Sequence, residues 1–278
     1  MSIQNVLIKN MVPYHFEIIE SIIRTLVPAQ CNTIYILQLP PNPEFASYIC
    51  KAYSKVKMIS RETDAQHVTL HIHATVYPHD MAVIKQNPNH IFVSHRVASA
   101  LTALPNVWFL TPLAPTRWFL PSWLPPVERN LQGCVLGIQG NIVEGRRNFR
   151  SLIPLLQATS DLPYKIKIVG RGELPGYLKP WSHKIVIAAN LNFIDLHKAF
   201  SNVTALLPLI DTEFKHGYFT DQLTSTISYA EAYHIPLIAH ENLKRIYERC
   251  TTFKWIPYSS SKEFIQACES FVRSPITC

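Results

Sequence analysis

The chain has 278 residues but few glycines, and it lacks the glycine-rich signatures of several common enzyme classes. Only 8 residues are glycine, and neither Gly-x-Gly-x-x-Gly nor Gly-x-x-x-x-Gly-Lys-Ser/Thr occurs. The usual nicotinamide dehydrogenase and P-loop NTPase fingerprints are therefore absent. No Gly-x-Ser-x-Gly turn occurs either, which argues against an α/β hydrolase.

Metal-binding patterns are missing as well. The six cysteines are scattered and include no Cys-x-x-Cys pair, which argues against a zinc cluster. Scattered thiols fit a reducing compartment better than a disulfide framework. Because no Asp-x-Asp pair occurs, the sequence does not support a divalent cation held by such a pair. We therefore expect neither a metal nor a cofactor.

No apolar run reaches the roughly 18 residues that a membrane span needs. The first ten residues lack the basic start and long apolar core of a signal peptide. The sequence thus predicts a soluble, cytoplasmic protein.

Its net charge of +7 favours anionic ligands. No run of five Lys or Arg residues occurs, so a nucleic-acid partner is not favoured.

What the chain does contain is a regular alternation of short apolar runs with segments of helical period. Strands are predicted at 5–8, 33–37, 56–59, 67–74, 91–94, 107–110, 133–139, 165–169, 184–188, 204–209 and 236–239. Helices are predicted at 16–26, 148–158, 193–200 and 264–272, and further ones begin at Pro43, Pro78 and Thr224. This alternation predicts an α/β protein with two Rossmann-like, doubly wound domains facing a cleft.

The stretch 112–126 contains five prolines, which cannot belong to a regular helix or a central strand. We interpret it as the connection between a first domain, 1–127, and a second domain, 128–259. Ser260 and Glu263 have the spacing of a capping box at the start of the last helix. The segment 260–278 that holds this helix could pack back on the first domain.

Polar residues follow several strands of the second half, at the edge where open parallel sheets bind ligands. Gly140 lets the backbone approach a phosphate closely. Arg146 and Arg147 can neutralise a diphosphate and stabilise it as a leaving group. Three hydroxyl residues, 224–226, open a helix whose free N–H groups suit a phosphate. The competing interpretations are a solvated loop for the arginines and a plain helix cap for the hydroxyls.

A series of short motifs runs through the last half of the chain. In order they are Gly137-x-Gln139-Gly140-Asn141, Arg147-Asn148, Lys167-Ile168-Val169-Gly170-x-Gly172, Leu206-Leu207-Pro208, Tyr218-Phe219-x-x-x-Leu223-Thr224-Ser225-Thr226 and Pro236-Leu237-Ile238. This series resembles the C-terminal domain of GT-B glycosyltransferases, of the soluble type encoded by microbes and large DNA viruses. The first half matches only in its strand–helix rhythm.

The resemblance implies a nucleotide-sugar donor in the second domain and a glycan acceptor in the first, without a metal ion. By position, the donor-binding residues would be Gln139, Gly140, Asn141, Arg147, Gly170, Arg171, Gly172, Ala189, Leu191, Tyr218, Leu223, Thr224, Ser225 and Thr226. A UDP-sugar is the expected donor, and UDP-xylose is the specific prediction, since few acidic residues line the expected pocket.

One departure from the family pattern bears on stereochemistry. Alignment on Pro236 places Asp221 and Tyr229 where many retaining GT-B enzymes have two glutamates, and His234 where glycine is usual. The missing second acid favours an inverting reaction.

An inverting reaction needs a general base that deprotonates the acceptor hydroxyl. The candidates are His15, in the loop after the first strand, Asp80, after another strand, and Glu17, near the start of the first helix. Two other functions stay open. One is a nucleotide-sugar epimerase or hydrolase on the same fold, and the other is a non-catalytic protein that binds glycans or nucleic acid.

Overall fold

The computed structural model describes residues 5–11, 16–27, 31–62, 68–72, 89–94, 107–109, 133–191, 193–212, 217–219, 224–247 and 253–274. The chain divides into two units, Met1–Leu113 with Asp221–Leu223, and Ala114–Thr220 with Thr224–Cys278. The predicted domain boundary, between 127 and 128, falls outside the described residues, as does the helix predicted to begin at Pro78.

The described residues of the first unit form six parallel strands in the order β3-β2-β1-β4-β5-β6. They are β1 (Asn5–Asn10), β2 (Thr33–Gln38), β3 (Val56–Ile59), β4 (Val68–Ile72), β5 (His90–Ser94) and β6 (Val107–Phe109). The described helices of this unit are α1 (Phe16–Leu26) and α2 (Pro43–Ala52).

Local sequence explains both helices. In α1, Ile18, Ile19, Ile22 and Ile23 recur at helical spacing, and all four are almost completely buried. In α2, the side chain of Asn42 accepts a hydrogen bond from the main-chain N–H of Phe45, and proline occupies the first turn. Asparagine is a strong N-cap, and proline is well tolerated directly after it, so α2 begins where predicted.

In the second unit, the part of the chain that the structure describes forms six parallel strands in the order β12-β11-β10-β7-β8-β9. They are β7 (Cys134–Gln139), β8 (Tyr164–Gly170), β9 (Ile185–Ala189), β10 (Ala205–Leu206), β11 (Leu237–His240) and β12 (Trp255–Tyr258). Its helices are α3 (Leu152–Ala158), α4 (Phe193–Lys198), α5 (Ser225–Tyr233), α6 (Glu241–Ile246) and α7 (Ser261–Arg273), with 3-10 turns at Phe149–Ser151, Gly176–Trp181 and Gly217–Phe219.

The two sheets share one topology. Counted from the first strand of each unit, both orders read 3-2-1-4-5-6, which is the doubly wound arrangement predicted from the alternating pattern. The order reverses between β1 and β4 in the first sheet, and between β7 and β10 in the second. In such folds, ligands bind at the carboxyl ends of the strands where the order reverses.

The structure corrects the sequence-based prediction in three places. Strand β10 covers Ala205–Leu206 and is shorter than the predicted 204–209, whereas β12 and α6 were not predicted at all. Helix α7 belongs to the second unit, because Phe264 and Cys268 are buried in the same core cluster as β7 and β8. No helix in the described ranges is long and apolar enough to cross a bilayer.

A histidine pair, with His71 buried and His90 half-buried, joins β4 and β5. Nε2 of His71 lies 2.9 Å from Nδ1 of His90, and His71 is 4% exposed. Burial, together with the nearby charges of His90 and Lys9, lowers the pKa of His71 to about 4. Glu62 opposes this shift and forms an ion pair with Lys9 at 2.9 Å. His71 is therefore neutral at physiological pH.

We expect the protein to lose stability as the pH falls from about 6.5 to about 4. In the unfolded chain, His71 takes up its proton near the ordinary pKa of about 6.5, so in this window the unfolded state binds more protons. The contribution is fully present above pH 6.5, and roughly 2 kcal/mol of it is lost by pH 4.5. Urea unfolding at pH 7 and pH 4.5 measures this loss in the free energy of unfolding. A His71→Gln variant should depend less on pH, and an unchanged dependence would contradict the assignment.

Candidate functional site

The polar edge of the second sheet is centred where the strand order reverses, between β7 and β10. Leu206 of β10 pairs with Gly137 of β7 on one side and with Leu237 of β11 on the other. Strand β10 therefore ends level with Gly137, two residues before Gln139, the last residue of β7. The crossovers from these two strands lead to opposite faces of the sheet, which leaves an opening above their carboxyl ends.

Arg147 is buried at this point of the fold, with 5% of its surface exposed. Its Nη1 donates to the carbonyl oxygen of Pro208, and its Nη2 lies 3.5 Å from Oγ1 of Thr226. Burial lowers the pKa of Arg147 to about 10, Tyr218 raises it and Arg146 lowers it further. The side chain thus stays charged at neutral pH. Among the described residues, no carboxylate is close enough to pair with it.

The three hydroxyl residues form a network with Gln139. Oγ1 of Thr224 donates to Oγ1 of Thr226 at 3.2 Å, and Thr226 in turn donates to Oε1 of Gln139 at 3.2 Å. Oγ of Ser225 donates to the same Oε1 at 3.1 Å. Every hydroxyl proton is then used inside the network, and Oε1 accepts twice. The side-chain NH₂ of Gln139 is the donor group that this network leaves unused.

Thr224 also caps α5. Its Oγ1 accepts from the main-chain N–H of Thr226 at 3.3 Å, and its own N–H donates to the hydroxyl of Tyr247 at 2.6 Å. The plain-cap interpretation is therefore correct for Thr224. Yet Thr226 brings the guanidinium of Arg147 beside the start of α5, where the helix dipole is positive. The guanidinium and the positive end of α5 are therefore close together, and an anion bound between them would stabilise both.

The glycines at this edge let two segments of chain approach each other. Gly140 has φ +118°, and a Cβ there would lie 2.5 Å from Nη2 of Arg147. A Cβ on Gly170 would meet the carbonyl oxygen of Gly140 far inside contact distance, and one on Gly172 would lie 2.8 Å from the carbonyl oxygen of Ile142. Packing between the loops after β7 and β8 therefore explains these glycines, and their contact with a base or ribose stays a prediction.

Other predicted donor-binding residues lie around this centre. Asn141 and Arg171 are exposed on the loops after β7 and β8. Ala189 and Leu191 are half-buried at the end of β9, and Tyr218 is half-buried in the turn Gly217–Phe219. Leu223 lies outside the described residues. The structure thus brings Gln139, Gly140, Arg147, Thr224, Ser225 and Thr226 together and places the other described ones on the same unit.

The side chains of the three predicted catalytic bases lie outside the described residues. His15 and Asp80 lie outside the described residues, and Glu17 is the second residue of α1, with its side chain outside them. The described part of the chain contains no group of three or more His, Cys, Asp or Glu residues arranged to hold a metal ion.

Sequence reasoning missed the turn after β10. Leu209 has φ +52°, a conformation that costs a branched residue roughly 1–2 kcal/mol, although its side chain is 1% exposed. This turn presents the carbonyl of Pro208 to Arg147, and the carbonyl of Leu209 accepts from the N–H of Asn148 at 2.7 Å. Nδ2 of Asn148 also donates to Asp211 at 2.7 Å. A leucine gives no sequence signal for such a turn, because left-handed backbone is typical of Gly and Asn.

Comparison with known proteins shows the same fold in solved structures, although no protein-family model and no curated protein matches the sequence. AviGT4, a glycosyltransferase of avilamycin A biosynthesis, matches with a TM-score of 0.60 and 10% identity, over 98% of this chain and 89% of that chain. A glycosyltransferase from Rickettsia africae matches with a TM-score of 0.52 and 12% identity, over 98% and 88%.

A third match is an alpha-glucosyltransferase solved with UDP and a 13-mer DNA, with a TM-score of 0.53 and 8% identity, over 97% of this chain and 89% of that chain. These likenesses extend over nearly the whole of each chain. The chain therefore has the GT-B fold, as the motif series predicted. At such low identity the likeness concerns the fold alone, and activity has to be argued from the site.

Proposed function

We propose that this protein is a glycosyltransferase that transfers the sugar of a UDP-sugar to a hydroxyl of a glycan acceptor. The observation that carries the proposal is the buried, charged Arg147 with no carboxylate partner among the described residues. An uncompensated buried charge is costly, and a bound anion would supply the missing counter-charge. Its place, at the carboxyl ends of β7 and β10 beside the start of α5, suits a diphosphate.

The same groups suggest how the leaving group is stabilised. As the bond between the sugar and the diphosphate breaks, negative charge grows on the phosphate oxygens. Arg147, the unused NH₂ of Gln139 and the positive end of α5 are fixed beforehand, so they stabilise that charge with little reorganisation. We propose that these groups act where other transferases use a divalent cation, so that no metal is needed.

The nucleotide and the stereochemistry are finer parts of the proposal. UDP is bound by one structural neighbour, an alpha-glucosyltransferase, which supports uridine as the base. Tyr229 takes the place of the second glutamate of retaining enzymes. Its ring packs against that of Phe200, with 4.8 Å between the ring centres. A packed aromatic ring cannot replace that carboxylate, which supports inversion. UDP-xylose remains the proposed donor on sequence grounds.

Nucleotide binding is the first test of this function. We expect UDP to raise the melting temperature, by the equivalent of about 2.7 kcal/mol at a hundred times its dissociation constant, with GDP and NAD giving smaller shifts. If release of UDP from the UDP-sugar requires a glycan acceptor, the protein is a transferase. Release without an acceptor would indicate the hydrolase. Binding of glycan or nucleic acid with no response to UDP would favour the non-catalytic alternative and refute the proposal.

Inversion requires a base, for which His15, Asp80 and Glu17 remain the proposed residues. A base removes the acceptor proton but does not hold the nucleotide. The three variants to compare are His15→Ala, Asp80→Asn and Glu17→Gln. The base is the residue whose variant loses turnover but keeps its affinity for UDP.

A further inference from the structure

His240, the last residue of β11, is buried with one ring nitrogen bound to the main chain. It is 5% exposed, and its Nδ1 accepts a hydrogen bond from the N–H of Asn242 at 3.2 Å. A nitrogen that accepts carries a lone pair, so the proton of the neutral ring is on Nε2. No residue in the described ranges accepts a hydrogen bond from this Nε2–H. This N–H is therefore free to donate to a ligand.

Two aromatic rings hold the imidazole in place. The ring centre of Phe219 lies 5.8 Å from that of His240 at an interplanar angle of 64°, and Tyr258 lies at 5.6 Å and 82°. Tyr258 is also the residue that pairs with His240 in the register of β11 and β12. Edge-to-face contacts on two sides, together with the bond to Nδ1, fix the ring orientation. Nε2–H is therefore a preorganised donor next to carbon surfaces.

His240 lies close to the proposed diphosphate site. Leu206 pairs with Leu237, so His240 and Leu209 each lie three residues beyond one registered pair, at the carboxyl edge of neighbouring strands. Neighbouring strands are about 4.8 Å apart, so the chain after β10 and the end of β11 are adjacent at this edge. Phe219 contacts His240 and directly follows Tyr218 in the chain. Tyr218 in turn is close enough to Arg147 to raise its pKa.

We propose that His240 binds a hydroxyl of the donor sugar through Nε2–H and so helps to select the sugar. The inference rests on the proposed function, because it takes the diphosphate to lie at Arg147. The phosphate charge is met there by the guanidinium and by the positive end of α5. A neutral N–H between aromatic rings is better matched to an uncharged hydroxyl, the group that distinguishes one sugar from another.

His240→Asn separates this role from the structural role of the side chain. Asparagine is a good N-cap, so its Oδ1 can accept from the N–H of Asn242 and keep the start of α6, but it has no donor at the position of Nε2. Calorimetric titration with UDP and with UDP-xylose, UDP-glucose and UDP-galactose compares the variant with the wild type. We expect the affinity for UDP to change less than twofold. The affinity for the best UDP-sugar should fall about three- to tenfold, the worth of one neutral hydrogen bond.

Analogues of that UDP-sugar, each lacking one hydroxyl, extend the test. The wild type should bind one analogue more weakly than the complete UDP-sugar. The variant and the wild type should bind that analogue with equal affinity. An equal loss of UDP and UDP-sugar affinity, or no loss of either, would overturn the role in sugar binding. Absence of UDP binding by the wild type itself would refute the proposed function, and this inference with it.

Discussion

Arg147→Met should bind UDP roughly a hundredfold more weakly than the wild type, while the free protein stays about as stable. The binding loss is large because the guanidinium is buried and would be the main charge partner of the diphosphate. Stability changes little because two effects oppose each other. The variant loses hydrogen bonds to Pro208 and Thr226, but it also removes a buried charge that has no carboxylate partner among the described residues.

Two measurements check this result, UDP titration calorimetry and urea unfolding without ligand. Arg146→Met is the matched control, because Arg146 is adjacent in sequence but exposed, so it should change UDP affinity only a few-fold. If Arg147→Met unfolded far more easily than the wild type and still bound UDP, the arginine would be a structural residue, and the proposed donor site would be wrong.

Gly170→Ala should destabilise the second unit by about 3 kcal/mol or more and abolish UDP binding. The added Cβ would overlap the carbonyl oxygen and carbon of Gly140, which are main-chain atoms and cannot rotate away. Relief requires separating the loop after β7 from the end of β8. Those segments are joined by the hydrogen bond from the N–H of Gly140 to Val169, at 2.9 Å. Because Arg147 packs on Gly140, the disturbance reaches the donor site directly.

Gly176→Ala is the control for this change. A Cβ on Gly176 meets nothing within 4 Å, so the same substitution should be close to neutral, or slightly stabilising through the unfolded chain. Thermal unfolding of both variants with and without UDP makes the comparison. A Gly170→Ala protein with wild-type stability would mean that the loops after β7 and β8 are not in close contact at Gly140 and Gly170.

Features that depend on neighbours along the chain could be read from the sequence. The four isoleucines of α1 identify its buried face through their spacing alone, and Asn42 with Pro43 marks the start of α2. The strand–helix alternation and the short connections leave few topologies other than the doubly wound one. For the same reason, Gln139 and Thr224–Thr226 could be assigned to one edge of a sheet before any contact was known.

Features that depend on contacts between distant residues could not be read in this way. Adjacent Arg146 and Arg147 look alike in sequence, yet one is exposed and the other buried. What separates them is contact with Pro208 and Thr226, which are 61 and 79 positions away. The left-handed turn at Leu209 and the packing of α7 in the core of the second unit likewise depend on contacts between distant residues. Side-chain identity sets which chemistry is available, whereas burial, and with it the cost of a charge, arises only when remote segments pack together.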